Sequence, residues 1–417
     1  MLLFPVRRKF KSKKGEYFDY IEISEVDLTT GEFNTSKIIG EEAPDRAQWV
    51  VSKDDILVST VRPIRNAIVL IKEGKENLVC SSGFCILHPK TIQANYLFLY
   101  LKMPFIAKLL DRHTTATEYP AINWNDALNI PIYVGSKEFQ MKISLIINKC
   151  FALLKQSRSL YSQAENLPLE ELGLKDFKPK YNKTYTAKLS DAFSAHRIDA
   201  EYFQPAYEEV IEKIKQYPNG FSELLQAVEN VAPDFDPTKY PNDDFCYVEL
   251  ADIYSSIGVI HSVNKVKGGE APSRARRLLK EGDVIVSSVE GSLEKVALID
   301  KKHDGCLAST GFFQFRPLNI LPEVLLVLSK TIILQLQLKK RCSGTILTAV
   351  PKESLRDIII PNIPLSIQQE IASLVQKSHE ARRKAKELLE IAKRAVEIAI
   401  EENEEKAQEY IQRAVKS

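Results

Sequence analysis

Two long stretches of this chain repeat each other at a shift of 228 positions. A repeat with so long a period indicates a duplicated domain rather than a solenoid. Three pairs of segments carry the match: Ala43-Pro44-Asp45-Arg46-Ala47 with Ala271-Pro272-Ser273-Arg274-Ala275, Asp55–Val61 with Asp283–Val289, and Ser81-Ser82-Gly83-Phe84 with Ser309-Thr310-Gly311-Phe312. In the last pair, a turn glycine precedes an aromatic residue that we expect to be core.

A helix free of Gly and Pro is predicted from Ser366 toward the C-terminus. Apolar and small residues recur in it at alternating four- and three-residue steps, the spacing of a helix packed against a partner helix. The same pattern occurs 228 positions earlier, so the duplication supplies the partner. The predicted seam positions are Phe139, Ile143, Ile146, Leu153 and Leu160 in the first helix and Ile367, Ile371, Leu374, Ala381 and Leu388 in the second.

The composition bounds the class of protein. A chain of 417 residues, 44% hydrophobic and 27% charged, is typical of a soluble protein with two or three domains. It has no apolar run long enough to cross a bilayer, and its basic N-terminus lacks the apolar core of a signal peptide, so we expect no membrane association and a cytoplasmic location. The six cysteines show no CxxC spacing, which predicts neither a zinc site nor a disulfide framework.

Coarse patterns predict the elements of each repeat. Residue alternation and helical periodicity give the following assignments: strands at Tyr20–Ile23, Ile56–Ser59, Ala67–Leu70, Phe84–Leu87 and Asn129–Val134; helices at Asn95–Leu110 (split or kinked by Pro104), Lys137–Asn166 and Ser190–Gln216; and an acidic helical continuation at Glu401–Glu409. The basic stretch before Tyr17 has two open interpretations, a solvated terminus or a phosphate-contacting arm.

Motifs of common enzymes are absent from the sequence. It has no phosphate-binding GxxxxGK loop, no GxGxxG after a strand, no GxSxG, no HExxH and no (Asp/Asn/Ser)-Pro-Pro-aromatic tetrad of amino-methyltransferases. Asp54 and Asp55, with Glu281 and Asp283, loosely imitate a nuclease carboxylate cluster. Their place just before a strand in both repeats favours turn carboxylates, so we predict a chain without catalytic residues or a metal site.

Two globular domains, each followed by a long helix, can hold two binding surfaces at a fixed spacing. A helix of about 30 residues is about 45 Å long, and one turn of DNA is about 34 Å. Arg and Asn make bidentate contacts to guanine and adenine, and the loops that differ between the repeats carry such residues. The alternative is that exposed loops carry charge by default. Candidate DNA contacts are Arg62, Arg65, Asn66, Thr114, Thr115, Arg274, Arg276, Arg277, Ser292, Lys295, Arg341 and Thr345.

The pattern resembles the DNA-specificity (S) subunit of Type I restriction–modification systems. The repeated Asp55–Pro63 region carries the resemblance, together with Ile358–Ile371 (IIIPNIPLSIQQEI), which is similar to the family's Ile-Pro-Leu-Pro-Pro-Leu-x-x-Gln-x-x-Ile lead-in to its conserved helix. The match covers nearly the whole chain. Two departures stand out. The first lead-in, Ile130–Lys137, lacks the second Pro and the Gln-Gln pair. The Ser190–Gln216 segment has no counterpart among the 19 residues before Tyr20, from which we expect a truncated or mis-started N-terminus.

The resemblance implies an α+β fold, with two repeated mixed α/β target-recognition domains separated by a pair of long antiparallel coiled-coil helices. Each domain would read one half of a bipartite double-stranded DNA site. Partners would be two methyltransferase subunits holding S-adenosylmethionine, and restriction subunits using ATP and Mg²⁺. The specificity chain itself would hold no cofactor.

The implied domain boundaries follow the repeat: recognition domain 1 at 1–136, helix 1 at 137–167, a linker with a helical segment at 168–218, recognition domain 2 at 219–365, and helix 2 with its tail at 366–417. Two other functions stay open. One is the specificity component of a related Type IIB-like system that cuts on both sides of its site, and the other is a coiled-coil scaffold that binds proteins without DNA specificity.

Overall fold

The chain forms two compact units. A computed structural model describes residues 3–115, 120–344 and 348–416. The first unit contains residues 1–154 and 382–417, and the second contains residues 155–381.

The described residues contain short strands and eleven α-helices. The strands are β1 (Leu3–Pro5), β2 (Tyr17–Ile21), β3 (Ser36–Ile39), β4 (Ala47–Val50), β5 (Ile56–Ser59), β6 (Ile68–Leu70), β7 (Leu78–Ser81), β8 (Phe84–Pro89), β9 (Phe221–Glu223), β10 (Val228–Asn230), β11 (Asp244–Val248), β12 (Ile253–Tyr254), β13 (Val259–Ile260), β14 (Asn264–Lys267), β15 (Ala275–Leu278), β16 (Val284–Ser287), β17 (Val296–Leu298), β18 (Leu307–Ser309), β19 (Phe312–Pro317) and β20 (Ile359–Pro361). The helices are α1 (Ala94–Leu101), α2 (Pro104–Asp111), α3 (Trp124–Leu128), α4 (Lys137–Glu171), α5 (Leu189–Ala195), α6 (Pro205–Lys215), α7 (Leu224–Ala227), α8 (Pro322–Lys330), α9 (Ile332–Arg341), α10 (Leu365–Glu401) and α11 (Glu404–Lys416).

The same pair of four-stranded sheets is built in each unit. In the first unit the strand orders are β1-β8-β5-β6 and β3-β2-β7-β4; in the second they are β10-β19-β16-β17 and β14-β11-β18-β15. Each second sheet contains one parallel pair, β2 with β7 and β11 with β18, and the remaining pairs are antiparallel. The duplication predicted from the sequence is therefore confirmed for both four-stranded sheets.

Central strands of both units are apolar and fully buried. All four residues of β5 and all four of β16 are buried, as expected of strands covered on both faces. Phe84 and Phe312 are each 0% exposed, which confirms their prediction as core.

Pro104 divides the helical stretch after β8, as predicted. It occupies the first turn of α2, where a missing backbone N–H costs no hydrogen bond. The second unit repeats the break between α8 and α9 at Thr331, although it has no proline there.

The strand predicted at Asn129–Val134 is wrong. Residues 129–134 form no strand, and α3 lies immediately before them, held by a capping box between Asn123 and Asp126. Two tyrosine hydroxyls donate to backbone carbonyls of this segment. Tyr100 donates to the oxygen of Pro131 at 3.1 Å, and Tyr96 donates to that of Tyr133 at 2.9 Å. The segment thus needs no partner strand.

The two long helices contribute to both units, in opposite order. In the first unit the start of α4 packs with the end of α10, and one apolar cluster contains Phe139, Ile143 and Leu388. In the second unit the end of α4 meets the start of α10, where the hydroxyls of Ser157 and Ser378 lie 3.1 Å apart. This arrangement is antiparallel.

All ten predicted seam residues are buried or half-buried, but the seam is wider than predicted. Leu154 and Val375 are 1% and 0% exposed, whereas their predicted neighbours Leu153 and Leu374 are only partly buried. The contact face therefore includes positions next to the 3.5-residue stripe.

The acidic tail does not continue α10. The helix ends at Glu401, and Asn403 caps the next helix by accepting from the amide of Lys406 at 3.0 Å. An asparagine at this position favours a helix start, which is why the chain breaks and restarts there. Glu404 of α11 then accepts from the amide of Ser136, just before α4, at 2.7 Å.

The cysteines differ from the expectation of no disulfide. Cys246 of β11 and Cys306, the residue just before β18, are 60 residues apart and form a disulfide next to the parallel pairing of these two strands. The other four cysteines are free and buried, as predicted.

Candidate nucleic-acid interface

The turn after β5 holds the first group of candidate residues. Arg62 and Asn66 flank a one-turn 3₁₀ helix and both adopt left-handed backbone angles, with φ of 48° and 61°. The side chain of Arg65 is exposed, and Arg62 is half-buried. Asn66 faces inward, since its amide donates to the carbonyl of Lys102 at 2.9 Å. The turn therefore presents two arginines to solvent and uses the asparagine as an anchor.

Three other loops meet this turn. Thr60 donates from its amide and its hydroxyl to the carbonyl of Gly83, at 2.8 and 2.9 Å. The amide of Ser82 donates to the carbonyl of Arg46 at 2.7 Å, and that of Arg62 to the carbonyl of Pro120 at 2.8 Å. We call this end of the domain the first loop cluster: Arg46, Thr60–Asn66, Ser82–Gly83 and Thr114–Thr115.

The second unit builds the same arrangement. Ser288 donates from its amide and its hydroxyl to the carbonyl of Gly311, both at 2.9 Å. The amide of Thr310 donates to the carbonyl of Arg274 at 2.8 Å, and that of Glu290 to Thr348 at 3.0 Å. The second loop cluster consists of Arg274, Ser288–Lys295, Thr310–Gly311 and Ser343.

The two clusters share the hydrogen bonds that join their loops, but their turns differ in backbone angles and in side-chain chemistry: Arg62 and Asn66 are left-handed, whereas Glu290 and Glu294 are not. Where the first turn carries Arg62 and Arg65, the second carries Glu290 and Glu294. Ser292 is half-buried, and its hydroxyl lies 3.0 Å from that of Ser287. Lys295 is half-buried, with its ammonium 3.4 Å from the carbonyl of Ile253. One turn offers hydrogen-bond donors and the other offers mainly acceptors.

The threonine loop of the first cluster is partly committed to local bonds. The hydroxyl of Thr114 donates to the carbonyl of Asp111 at 2.8 Å, whereas Thr115 is exposed. Thr115 also forms a bridge with Ala121, as Ser343 does with Ala349 in the second unit. Thr345 lies outside the described residues.

Two predicted phosphate contacts are buried and leave the candidate interface. Arg277 is 5% exposed and donates to the carbonyl of Val231 at 2.7 Å, and burial lowers its pKa to about 10. Arg341 is 9% exposed and donates to the carbonyls of Gln337 and Asp357, and burial lowers its pKa. A guanidinium held by interior carbonyls cannot reach a phosphate without giving up those bonds.

Arg276 and Arg274 differ in exposure, and only Arg276 has an ion-pair partner within the described residues. Arg276 forms an ion pair with Asp236 at 2.9 Å and is half-buried. Arg274 is exposed at the second loop cluster, and its counterpart Arg46 is exposed at the first. Arg46 was not predicted as a contact, although its recurrence within Ala-Pro-x-Arg-Ala was visible in the sequence.

The basic stretch before Tyr17 is ordered. In this first arm (residues 6–14), the amide of Phe10 donates to the carbonyl of Gln48 at 2.7 Å. The second arm (residues 231–239) docks identically, since the amide of Phe235 donates to Arg276 at 3.1 Å. The first arm has six basic residues and no acidic one, whereas the second has two acidic residues and one basic. These hydrogen bonds dock the stretch on the domain, but most of its basic side chains are exposed, so a solvated stretch and a phosphate-contacting arm both stay predictions.

The paired carboxylates are turn residues, as predicted. Asp55 is 0% exposed and accepts from the amide of Ser52, from Arg8 and from His88. Asp283 accepts from the amide of Lys280 at 3.1 Å and from the guanidinium of Arg316 at 3.0 Å. Each carboxylate closes the turn before a central strand.

The described ranges contain neither a metal-binding cluster nor a membrane-spanning helix. Within residues 3–115, 120–344 and 348–416, no group of three or more His, Cys, Asp and Glu side chains is placed to hold a metal ion. In the same ranges no helix is both long and apolar enough to span a membrane.

Comparison with known proteins gives a consistent set of matches. A family model described as the Type I restriction modification DNA specificity domain matches residues 3–161 and again residues 222–392. The HindI Type I restriction enzyme specificity subunit of Haemophilus influenzae is 19% identical over 296 residues, covering 60% of this chain and 64% of that relative, so the match spans less than two thirds of its length.

Solved structures of similar chains are also known. The HsdS subunit from Thermoanaerobacter tengcongensis is 20% identical, with 96% of this chain and 97% of that chain covered and a TM-score of 0.33. The S subunit of a Type I restriction-modification system from M. genitalium is 13% identical, with 94% and 91% covered and a TM-score of 0.42.

Proposed function

The chain belongs to the family of Type I restriction–modification DNA-specificity subunits, and we propose that it reads a bipartite double-stranded DNA site, one half with each loop cluster. The observation that carries this proposal is the pair of loop clusters, whose loops are joined by the same backbone hydrogen bonds and whose turns carry different exposed side chains. Two domains that do the same task on different sequences need that combination, because backbone geometry positions a reader and side chains specify the base.

The turns after β5 (residues 62–66) and β16 (residues 290–294), which we call the reader turns, favour different bases. Arg62 and Arg65 match the O6 and N7 acceptors of guanine, whereas Glu290 and Glu294 match the N4 amino donor of cytosine. Arg65 and Glu294 are exposed, so their side chains need no rearrangement to meet a base edge in the major groove. We therefore expect the two half-sites to differ.

Partner subunits would supply the chemistry. In this proposal α4 and α10 with their flanks dock two DNA methyltransferase subunits, which hold S-adenosylmethionine, and the assembly recruits restriction subunits that use ATP and Mg²⁺. The chain itself would hold no cofactor and would work in the cytoplasm, where the host DNA lies.

The test is co-expression of the full chain with its methyltransferase partner in a host that lacks adenine methylation, followed by mapping of modified adenines. We expect one asymmetric motif of two defined halves separated by a gap of fixed length. A complex that methylates DNA with no such motif, or that binds all random duplexes equally, would contradict the proposal.

A further inference from the structure

One exposed charged side chain is the same in both loop clusters. The reader turns diverge, from Arg62-Pro63-Ile64-Arg65 to Glu290-Gly291-Ser292-Leu293, but Arg46 and Arg274 occupy the same place in each unit. Residues that differ between two copies suit different half-sites. A residue that stays the same serves either the fold or a ligand feature common to both half-sites.

The fold explains other residues that recur near this arginine. A Cβ on Gly40 would lie 2.1 Å from the carbonyl oxygen of Lys13, and one on Gly268 would lie 2.1 Å from that of Tyr240. Both glycines therefore allow close approach of the arm. Ala47 and Ala275, which follow the arginines, are 9% and 0% exposed, so the small side chain packs in the interior.

The fold does not explain the arginine side chains. Arg46 and Arg274 are both exposed. Across the described ranges, neither guanidinium has a hydrogen-bond acceptor or an ion-pair partner. On β15, by contrast, Arg276 forms an ion pair with Asp236 and Arg277 donates to the carbonyl of Val231. An exposed arginine without a partner contributes little to stability.

The backbone at each arginine is nevertheless fixed. Its carbonyl accepts from the amide of the hairpin between the two sheets, Ser82 at 2.7 Å or Thr310 at 2.8 Å. That hairpin continues to Gly83 or Gly311, whose carbonyl holds the strand leading to the reader turn. Two successive hydrogen bonds therefore connect the backbone of each arginine to the turn whose side chains differ between the units.

We propose that Arg46 and Arg274 each bind a phosphate of the DNA backbone, as the sequence-independent contact that the two half-sites share. The inference rests on the proposed function, and it names the residue that sets the position of each reader turn on the duplex. A guanidinium suits this task because its planar donors bind two phosphate oxygens at once. Phosphate contacts fix register and orientation, and carry no sequence information directly.

The test compares Arg46→Gln, Arg274→Gln and the double variant with Lys53→Gln and Lys280→Gln. Both control lysines are exposed, and each substitution removes one positive charge. They precede β5 and β16 and so lie at the ends of these strands away from the reader turns. Each full chain is co-purified with its methyltransferase partner. Its affinity for the methylated-motif duplex and for a random duplex is then measured over a range of salt concentrations.

We expect the slope of log K against log salt to fall by about 0.9 for each arginine variant and about twice that for the double variant, on both duplexes. The methylated motif should stay unchanged, and the lysine variants should keep the wild-type slope. A wild-type slope in the arginine variants, an equal fall in the lysine controls, or an altered half-site would overturn the inference.

Binding to the random duplex measures the phosphate contact even if the chain selects no bipartite site. A wild-type complex that selects no bipartite site refutes the proposed function, yet a lower slope on random DNA in the arginine variants would still support the phosphate contact. Circular dichroism and retention of the methyltransferase partner show that each variant is folded.

Discussion

Arg382 on α10 donates from Nη1 to Oε2 of Glu32 at 2.6 Å, and both side chains are buried. Nη2 of the same guanidinium donates to Asp27, so one arginine binds two buried carboxylates of the same loop. The first unit thus joins its recognition domain to α10 through buried charges, where a missing partner is costly.

Removing this arginine should destabilise the first unit strongly. We expect Arg382→Ala to lower its free energy of unfolding by about 3–5 kcal/mol, because Asp27 and Glu32 would remain buried without their cation. Both tryptophans, Trp49 and Trp124, lie in this unit, so fluorescence during urea unfolding reports on it selectively. The control is Arg383→Ala, which removes an exposed pair with Glu387 and should cost less than about 1 kcal/mol. Equal effects of the two variants would contradict this account.

Lys102 should make the stability of the first unit depend on pH. Its side chain is 1% exposed, its ammonium donates to the carbonyls of Leu28 and Asn66, and burial lowers its pKa from 10.5 to about 7. Lys393 lowers this pKa further, whereas Asp27 and Glu390 raise it.

Stability should rise with pH because the unfolded chain binds more protons than the folded chain. Above pH of about 7 the folded chain releases a proton that the unfolded chain keeps up to about 10.5, so stability rises with pH in that window. Relative to Lys102→Met, the wild type should gain up to about 1.4 kcal/mol per pH unit there. The matched control is Lys108→Met, at an exposed lysine of α2, which should show no such difference. A flat difference between wild type and Lys102→Met would refute the prediction.

Shortening the helices should shorten the gap between half-sites. Deleting seven residues from each helix at the Ser157–Ser378 pair, residues 157–163 and 372–378, removes about 10 Å of helix. If the helix pair is the spacer, the methylated motif should lose about three base pairs of its gap and keep both halves. Deletion from α4 alone is the control, because it breaks the match between the two seams and should abolish binding. An unchanged gap after the double deletion would rule out the spacer role.

The reader turn of the first unit should set one half-site only. Arg65→Ala removes an exposed donor pair, so we expect relaxed preference at one base pair, by about 1–3 kcal/mol, with the other half unchanged. Selection from a randomised duplex library measures this directly. Lys53→Ala, at the other end of β5, should leave both halves unchanged, and a change in the half-site read by the second unit would contradict the assignment.

The Cys246–Cys306 disulfide should stabilise the second unit. Because it closes a loop with a sequence separation of 60, reduction should lower stability by up to about 4 kcal/mol. Hydrogen exchange of β11 and β18 with and without dithiothreitol measures the effect, and the Cys246→Ala/Cys306→Ala variant should not respond. Thiol titration of the denatured, unreduced chain should find four free cysteines, and finding six would refute the bond.

Much of the fold was predictable because the repeat supplies a second reading of each segment. The seam helices, the buried β5 and β16 and the break at Pro104 follow from local pattern. Residues 129–134 failed because tyrosine hydroxyls from α1 satisfy their carbonyls, a contact that local pattern does not contain.

The candidate site was only partly predictable, since exposure depends on register. Arg274, Arg276 and Arg277 look alike in sequence, but Arg277 lies two residues after the buried Ala275, on the same face of β15, and is therefore buried as well. The disulfide escaped prediction for a similar reason, because Cys246 and Cys306 become neighbours only through the parallel pairing of β11 with β18.

The unequal charge of the two arms has a consequence for kinetics. The first arm is strongly basic, and the second, docked in the same way, is slightly acidic. The field of a polyanion accelerates the approach of positive surface and slows that of negative surface. We therefore expect the first domain to contact a duplex before the second does. Added salt should then lower the association rate by a larger factor than it shortens the lifetime of the complex.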